Sequence, residues 1–508
     1  MLVSTPPHLS FNASTVARAQ VIRPNPLRER VSNALRLKLK LKLDFVDVSI
    51  APKGNLEPRA GNLPRRRKPV QHLKANHAES RIAGFTGHLI TRYLYAHPDR
   101  GQKFTFAVGA RSKSKLNDLV SELSLDSTVE TIVVDVTKPE QIESAVKKVK
   151  VVINTVGPYH RWGTPVVGAC VRNGIHYVDL TGEAFWIRDI IDKFDYVASR
   201  TGSIVVPSSG FDSVPSDAVV FLANKTFKET MGLDTAIENS TTAVKIKGGI
   251  SGGTLSTIIS SMEEVPKDKL RRAARGYALS PVKGLSYPPI KLLYSLPIKN
   301  IVGSFFGMAP GNKQIVQRSW GLQELEARTL ALGSGQGIAE QKKLTYGRQL
   351  KYDEFLAMPN RFIAAAFSFV FAVSMATLAF VKPWRWLVKK LVTQPGSGPS
   401  DESMKKGWFS YTNISSSVPT ASSPRRYVET TIHAKGDPGY LATAVMISES
   451  ALAILLEHDK LPVLGRRGGI LTPMTALGDV LIKRLTDTGR FTFNSELLSV
   501  DTEAKKTR

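Results

Sequence analysis

From about residue 82 onward, short apolar runs alternate with stretches of helical spacing. Phe104–Val108 (FTFAV) is an apolar run closed by Gly109, the pattern of a buried strand. From Lys113 to Leu123 the apolar positions Leu116, Leu119, Val120 and Leu123 share one helical face. Thr131–Val134 is a second buried run, ending at Asp135, and Lys138–Lys147 reads as a helix with Pro139 in its first turn. Val149–Thr155 is a third run, ending at Gly157-Pro158. Pro165–Asn173 is again helical, with Gly174 as its C-terminal stop. Tyr177–Leu180 and Ser203–Pro207 add two more strands. Such alternation predicts right-handed βαβ units and a parallel sheet covered on both faces. The fold class is therefore α/β, with a Rossmann-type doubly wound parallel sheet and a second mixed α/β domain.

In such sheets ligands sit beyond the carboxyl ends of the strands, and the informative residues all lie there. Gly84-Phe85-Thr86-Gly87 opens a helix, and glycines at a helix N-terminus let backbone amides approach a pyrophosphate. The second strand runs out into Arg111-Ser112-Lys113, where an acidic residue would suit the ribose hydroxyl of NAD and an arginine suits a 2′-phosphate. NADP(H) is favoured over NAD(H). Asp135, after the third strand, falls near the adenine, and Gly157-Pro158-Tyr159 near the pyrophosphate or nicotinamide. For each of these, ordinary turn and capping chemistry is the alternative. One element is out of place. Gln71–Arg81, just upstream of the glycine turn, is too polar for a buried central strand, and Arg81 stands where a further glycine is expected. Asp44–Ile50 is a substitute from further upstream, and a poor one.

Phe362–Val381 is an apolar stretch without a charge, bounded by Arg361 and by Lys382-Pro383-Trp384-Arg385-Trp386. Its length suits a hydrocarbon core and its flank an interface. A buried core helix is the alternative. The expectation is a monotopic or re-entrant insertion or a droplet anchor rather than a through-going span.

Composition adds three constraints. The formal charge of +26 calls for an acidic partner, such as anionic lipid or a phosphorylated cofactor. Nucleic acid is not expected, since no zinc-ligand pairs, aromatic RNA-binding strings or basic zipper accompany the charge. Cys170 is the only cysteine, so an intramolecular disulfide is impossible and Asn413-Ile414-Ser415 reads as a chance glycosylation triplet. Residues 1–80 hold 15 Lys/Arg against 5 acids, with Arg65-Arg66-Arg67-Lys68 clustered. They read as a basic extension, disordered or foreign to the native protein; a transit peptide or localisation signal are the alternatives.

The segments GFTG (84–87), GARSKSKL (109–116), VVINTVGPYHRWGTPVVGAC (151–170), HYVDLTGE (176–183), GFDSVPSD (210–217), GGT (252–254), GDPGY (436–440) and GGILTPMTALGD (468–479) occur in constant order. Together they resemble the saccharopine dehydrogenase-like oxidoreductase family, which includes the trans-acting enoyl reductases. The resemblance implies a Rossmann domain, a mixed α/β domain and a C-terminal return to the first. It also implies a lipid-like substrate in lipid or glycolipid metabolism, and a membrane, lipid-droplet or endoplasmic-reticulum location, with mitochondrion or plasma membrane as alternatives. A non-catalytic lipid-droplet or membrane protein retaining the fold is the competing reading.

The expected organisation is an extension (1–80), an NADP-binding Rossmann domain with a doubtful first strand (81–220) and an α/β substrate domain (221–360). The apolar segment (361–392), the remainder of the second domain with the return (393–495) and a tail (496–508) follow. No metal cluster is expected. Tyr159, His160, His176, Tyr177, Asp179, Glu183, Asp212 and Asp217 are candidate proton donors near the mouth, and the sequence does not choose among them.

Overall fold

The computed structural model describes residues 46–52, 84–248, 252–285, 290–333, 337–391, 398–421 and 423–499. The basic cluster at Arg65–Lys68, the rest of 1–80 apart from 46–52, and the tail beyond 499 lie outside the described residues.

The predicted alternation forms one sheet. Its strands are β1 (Val46–Pro52), β2 (Phe104–Ala110), β3 (Glu130–Val133), β4 (Val151–Asn154), β5 (His176–Asp179) and β6 (Ile204–Val206), joined late in the chain by β13 (Gly469–Ile470). The order is β13-β6-β5-β4-β1-β2-β3. Helices α1 (Phe85–Ala96), α2 (Lys113–Glu122), α3 (Pro139–Val146), α4 (Tyr159–Arg172) and α5 (Ala184–Thr201) connect or cover the strands. β2, β4 and β6 each run parallel to a neighbour, so their carboxyl ends share one edge.

β1 corrects the reading of the N-terminal extension. Residues 46–52, overlapping the upstream substitute Asp44–Ile50, are not an unstructured addition but the central strand. It pairs with β2 over seven positions, Val46 opposite Ala110 through Pro52 opposite Phe104, and with β4 at Val48, Ser49 and Ile50. Both pairings are antiparallel, so β1 runs against the rest of the sheet. Antiparallel ladders satisfy the backbone of β2 and β4 as fully as parallel ones, and two open edges in the middle of the sheet are avoided. The consequence is that β1 ends at the edge opposite to the start of α1. The strand–turn–helix continuity of a dinucleotide fingerprint is broken.

α4 begins six residues before the expected start, with Pro165 inside it. Glu183, from the loop after β5, accepts the amides of Tyr159 (2.7 Å) and His160 (2.9 Å) and so closes the first turn.

The second sheet has the order β14-β12-β11-β7-β10-β9-β8. It comprises β7 (Ile237–Lys247), β8 (Tyr294–Ser295), β9 (Val302–Phe305), β10 (Lys351–Met358), β11 (Trp408–Ser417), β12 (Tyr427–Lys435) and β14 (Phe491–Leu497). Only β7 and β10 pair in parallel; the other ladders are antiparallel. Phe409, Tyr411, Val244 and Tyr352 face a core shared with α6 (Val214–Met231) and α8 (Ala309–Leu332), while Ala243, Phe355 and Ile414 pack on the other face. Asn413 is buried on the same face as Phe409 and Tyr411, donating to Ser240 (2.8 Å) and Thr242 (2.9 Å).

Among the described residues, two helices are long and apolar enough to cross a membrane. One runs through the π turn at Pro438–Ala442 into α11 (Thr443–Leu456) and is mostly buried, packed on α1, β4 and β5. Within it Glu449 is clamped by Arg484 of α12 (Gly478–Asp487) at 2.7 Å and by Tyr93 of α1 at 2.5 Å. It is a core helix. The other is α9 (Arg361–Phe380), whose Phe362 is 89% and Phe380 84% exposed. (In chain order α7 is Gly252–Glu264 and α10 is Lys382–Leu391.) α9 is fixed along one stripe: Ala364, Ser368 and Leu378 are buried, the Ser368 hydroxyl accepts the Phe305 amide at 2.9 Å, and Phe371 stacks near Phe305 at 5.3 Å.

Candidate functional site at the carboxyl edge

The register aligns Ala110 with Val133, and through β1 aligns Val108 with Ile153. Arg111, Asp135 and Gly157 therefore leave the sheet along one edge. α1 starts at that same edge, because it runs back toward the beginning of β2. Its N-cap Gly84 carries no side-chain cap, and no acid occupies the first turn. The amides of Phe85, Thr86 and Gly87 are thus oriented as a phosphate would require.

Arg111 is exposed and close enough to Asp135 for their charges to interact. Asp135 accepts the Thr137 amide (2.9 Å) and hydroxyl (2.7 Å). Partial burial works against its ionisation, but these bonds and Arg111 outweigh it and hold the carboxyl below its ordinary value. Ser112 caps α2 by accepting the Lys115 amide at 3.4 Å, and Lys113 opens that helix, exposed. An exposed guanidinium, a lysine and an uncapped helix N-terminus on one edge fit the phosphates of a 2′-phosphorylated dinucleotide. That cofactor supplies a hydride when bound.

Gly157-Pro158 is a cis peptide that leads into α4. The Tyr159 and His160 amides are committed to Glu183, so this second helix start does not offer its amides to a ligand as the first does. His160 also pairs with Glu183 through Nδ1 at 2.7 Å. Burial opposes protonation of His160, yet Glu183 and then Glu264 win and raise its pKa. Arg161 meets Glu264 of α7 at 2.6 Å, a pairing that no local pattern announces.

The candidate proton donors separate by what already holds them. The Tyr159 hydroxyl donates to the Asn154 carbonyl at 3.0 Å and accepts the Leu180 amide at 3.2 Å. Tyr177 donates to Asp179 at 2.9 Å, and Asp179 also accepts the Thr181 and Ser208 amides. Burial still pushes Asp179 up to about 7. Asp217 accepts from Ser319 (2.5 Å) and the Met474 amide (2.8 Å), with burial raising it to about 6. His176 stands at the amino end of β5, away from the edge; it accepts the Ile204 amide at 3.1 Å, and burial lowers it to about 4. Asp212, on the loop between β6 and α6, is the exception: no hydrogen bond or ion pair to its carboxyl occurs among the described residues, and burial alone raises it to about 6.

Behind that loop lies a polar cluster that sequence reasoning missed. Glu354 accepts Asn312 (2.7 Å), Ser216 (2.8 Å) and Tyr352 (2.7 Å), and burial pushes it up to about 7. These residues come from α8, α6 and β10, so only the packing of the two sheets brings them together. A small apolar void under α3, lined by Gly109, Ile132, Val134, Ile142 and Val152, is a packing gap without chemistry.

A wound, chiefly parallel sheet with an uncapped helix start and basic side chains along its carboxyl edge, and a second sheet packed beside it, is the arrangement of a dinucleotide-binding oxidoreductase. Residues 83–206 match the family model described as the saccharopine dehydrogenase NADP binding domain. The chain is 30% identical over 427 residues to the trans-acting enoyl reductase of Mycobacterium tuberculosis, covering 80% of this chain and 94% of that protein. Its identity to the trans-acting enoyl reductase of Mycobacterium ulcerans is 28% over 424 residues, with the same coverage. Among solved structures it is similar to saccharopine dehydrogenase (L-Glu forming) from Saccharomyces cerevisiae, at 13% identity and a TM-score of 0.42, covering 82% of this chain and 98% of that one. The chain belongs to the saccharopine dehydrogenase-like oxidoreductase family that contains the trans-acting enoyl reductases, and its nucleotide domain is of the NADP-binding type.

Proposed function

We propose that the chain is a membrane- or lipid-droplet-docked, NADP(H)-dependent reductase of the trans-acting enoyl reductase type, acting on a lipid-like substrate in lipid or glycolipid metabolism. The observation that carries the reading is α9: an apolar helix fastened by one stripe to the edge of the second sheet, with Phe362, Phe369, Val370 and Phe380 turned outward. An exposed apolar surface on this scale marks an interaction site. Lys382, Trp384 and Trp386 follow at once, all exposed, as the flank of an interfacial helix. Because one face of α9 stays on β9, the helix lies along the lipid surface. Substrate drawn from that surface then reaches the carboxyl edge, where Arg111 and the α1 N-terminus hold the dinucleotide's phosphates.

Flotation with phosphatidylserine-containing vesicles tests the docking: the chain rises with the vesicles, and Phe362→Asp with Phe369→Asp leaves it in the soluble layer. Fluorescence titration tests the cofactor assignment. Arg111→Ala weakens NADPH about tenfold or more, the scale of one charged phosphate contact, and leaves NADH nearly unaffected; equal loss for both contradicts the 2′-phosphate role.

A second reading, a lipid-surface protein that keeps the fold without catalysis, is favoured by one observation. β1 runs antiparallel and does not lead into α1, so the pyrophosphate turn is incomplete. A folded chain that floats with vesicles and binds neither nucleotide selects this reading.

A further inference from the structure

The loop Gly210-Phe211-Asp212-Ser213 is where the first sheet's carboxyl edge meets the second sheet. The Phe211 amide donates to Thr443 of α11 at 3.0 Å, and the Phe211 ring lies 4.9 Å from Phe409 on β11. Gly210 makes the junction close: a Cβ there would come within 2.8 Å of Leu180 and 2.9 Å of Thr443. Between these fixed neighbours Asp212 is half-buried, and its carboxyl lies 4.0 Å from where a Cβ on Gly182 would stand, in the loop after β5. From the second sheet, Tyr411 is close enough to feel the charge of Glu354 and, more weakly, that of Asp212, and it shares a hydrogen bond with Ser216. The Tyr411 hydroxyl is fully buried. A part-buried carboxyl that no donor holds among the described residues is costly to keep for stability alone.

We propose that Asp212 is the substrate-facing acid of this site, giving the proton that completes the reduction. The inference rests on the reductase reading and names a residue within it. In the reduction of a polarised carbon–carbon or carbon–oxygen double bond, NADPH gives a hydride to one end and leaves as NADP⁺. The other end takes a proton as the Asp212 O–H bond breaks, and the carboxylate regains its proton from water. The remaining carboxyls of the edge are unsuited, since Asp179, Glu183 and Asp217 are each held by two or more donors.

The test uses the whole chain. Carbodiimide coupling of glycine ethyl ester near pH 6, mapped by peptide mass spectrometry, labels Asp212 several-fold faster than Asp179 or Asp217, and saturating NADP⁺ slows that labelling. Asp212→Asn keeps NADPH binding while reduction of a trans-2-hexadecenoyl thioester falls about a hundredfold or more, the usual contribution of a positioned acid. Unchanged turnover in the variant, or an Asp212 that labels no faster than Asp179, overturns the assignment alone. An unaltered chain that binds no NADPH, or reduces no thioester, removes the reductase reading and this inference with it. If the variant does not fold, labelling of the unaltered chain decides.

Discussion

Glu183 shows how one buried side chain can set the geometry of a site without entering its chemistry. It is 3% exposed and ties the first turn of α4 to the loop after β5 through two amides and His160. Glu183→Ala leaves those donors without acceptors, so a loss of about 3 kcal/mol is expected, measured by denaturant unfolding. The raised carboxyls make a pH prediction. Burial lifts Asp179 and Glu354 to about 7, against ordinary values of 3.8 and 4.5. The folded chain thus holds protons that the unfolded chain has released, and this contribution, complete in acid, is lost as pH rises through 7. His176, lowered to about 4 from 6.5, works the other way, its contribution being lost as pH falls through about 4. Above pH 6.5 His176 is neutral in both states and drops out. Stability should therefore decline between pH 6.5 and 8 by on the order of 1 kcal/mol per carboxyl, and Glu354→Gln should flatten the decline. A curve that rises over this range contradicts the assignment.

Elements of the first sheet were legible because each announces itself locally. Phe104–Val108, Thr131–Val134 and Val149–Thr155 are apolar runs separated by amphipathic turns of helix, and β2, β3 and β4 appear there with ends shifted by one or two residues. What the sequence withheld was decided at long range. The start of α4 is set by a carboxylate 24 residues downstream. The strand between β2 and β4 is chosen by two ladders, neither of them a neighbour in sequence, so its direction leaves no mark on its residues. The site divides the same way: Arg111 and Gly84 follow motifs, whereas Tyr411 and Glu354 arrive on strands of a sheet whose pairings span many residues. Two substitutions probe these elements. Ser49 stands opposite Ala107 on one side and Val152 on the other, so Ser49→Pro removes a ladder bond in mid-sheet and should cost about 3 kcal/mol or more. A silent Ser49→Pro would mean that 46–52 is not a central strand. Pro165 is exposed within α4, where it denies the Arg161 carbonyl a donor. Pro165→Ala should stabilise by roughly 1 kcal/mol, read as a higher melting temperature.

For the whole molecule, the proposed docking raises the question of how a chain with a twenty-residue apolar helix would keep both domains on one side of a lipid surface. α9 spans about 30 Å at 1.5 Å per residue, enough to cross a bilayer. Yet β10 enters it, α10 leaves it, and Arg385 of α10 reaches back to within 3.9 Å of Glu263 on α7. The strands that follow, β11, β12 and β14, complete the sheet that β7 and β10 begin, and β13 completes the first sheet. A crossing would need these pairings torn apart, and burial of α9 along Ala364, Ser368 and Leu378 would be lost as well. The docking proposed above therefore puts α9 in the plane of the lipid surface, with its outward phenylalanines among the acyl chains and its tryptophans at the headgroups. Depth-dependent quenching separates the geometries. With quenchers placed near the headgroups, Trp384 and Trp386 fluorescence should fall steeply, and with quenchers at the bilayer centre it should change little. On this proposal the net charge of +26 adds a screened attraction to anionic lipid, so binding should weaken as salt rises without vanishing, the apolar contact remaining. Protease added outside sealed vesicles should reach exposed sites on both sides of α9, near Lys342 and near Arg425. Protection of either one would mean that the helix crosses.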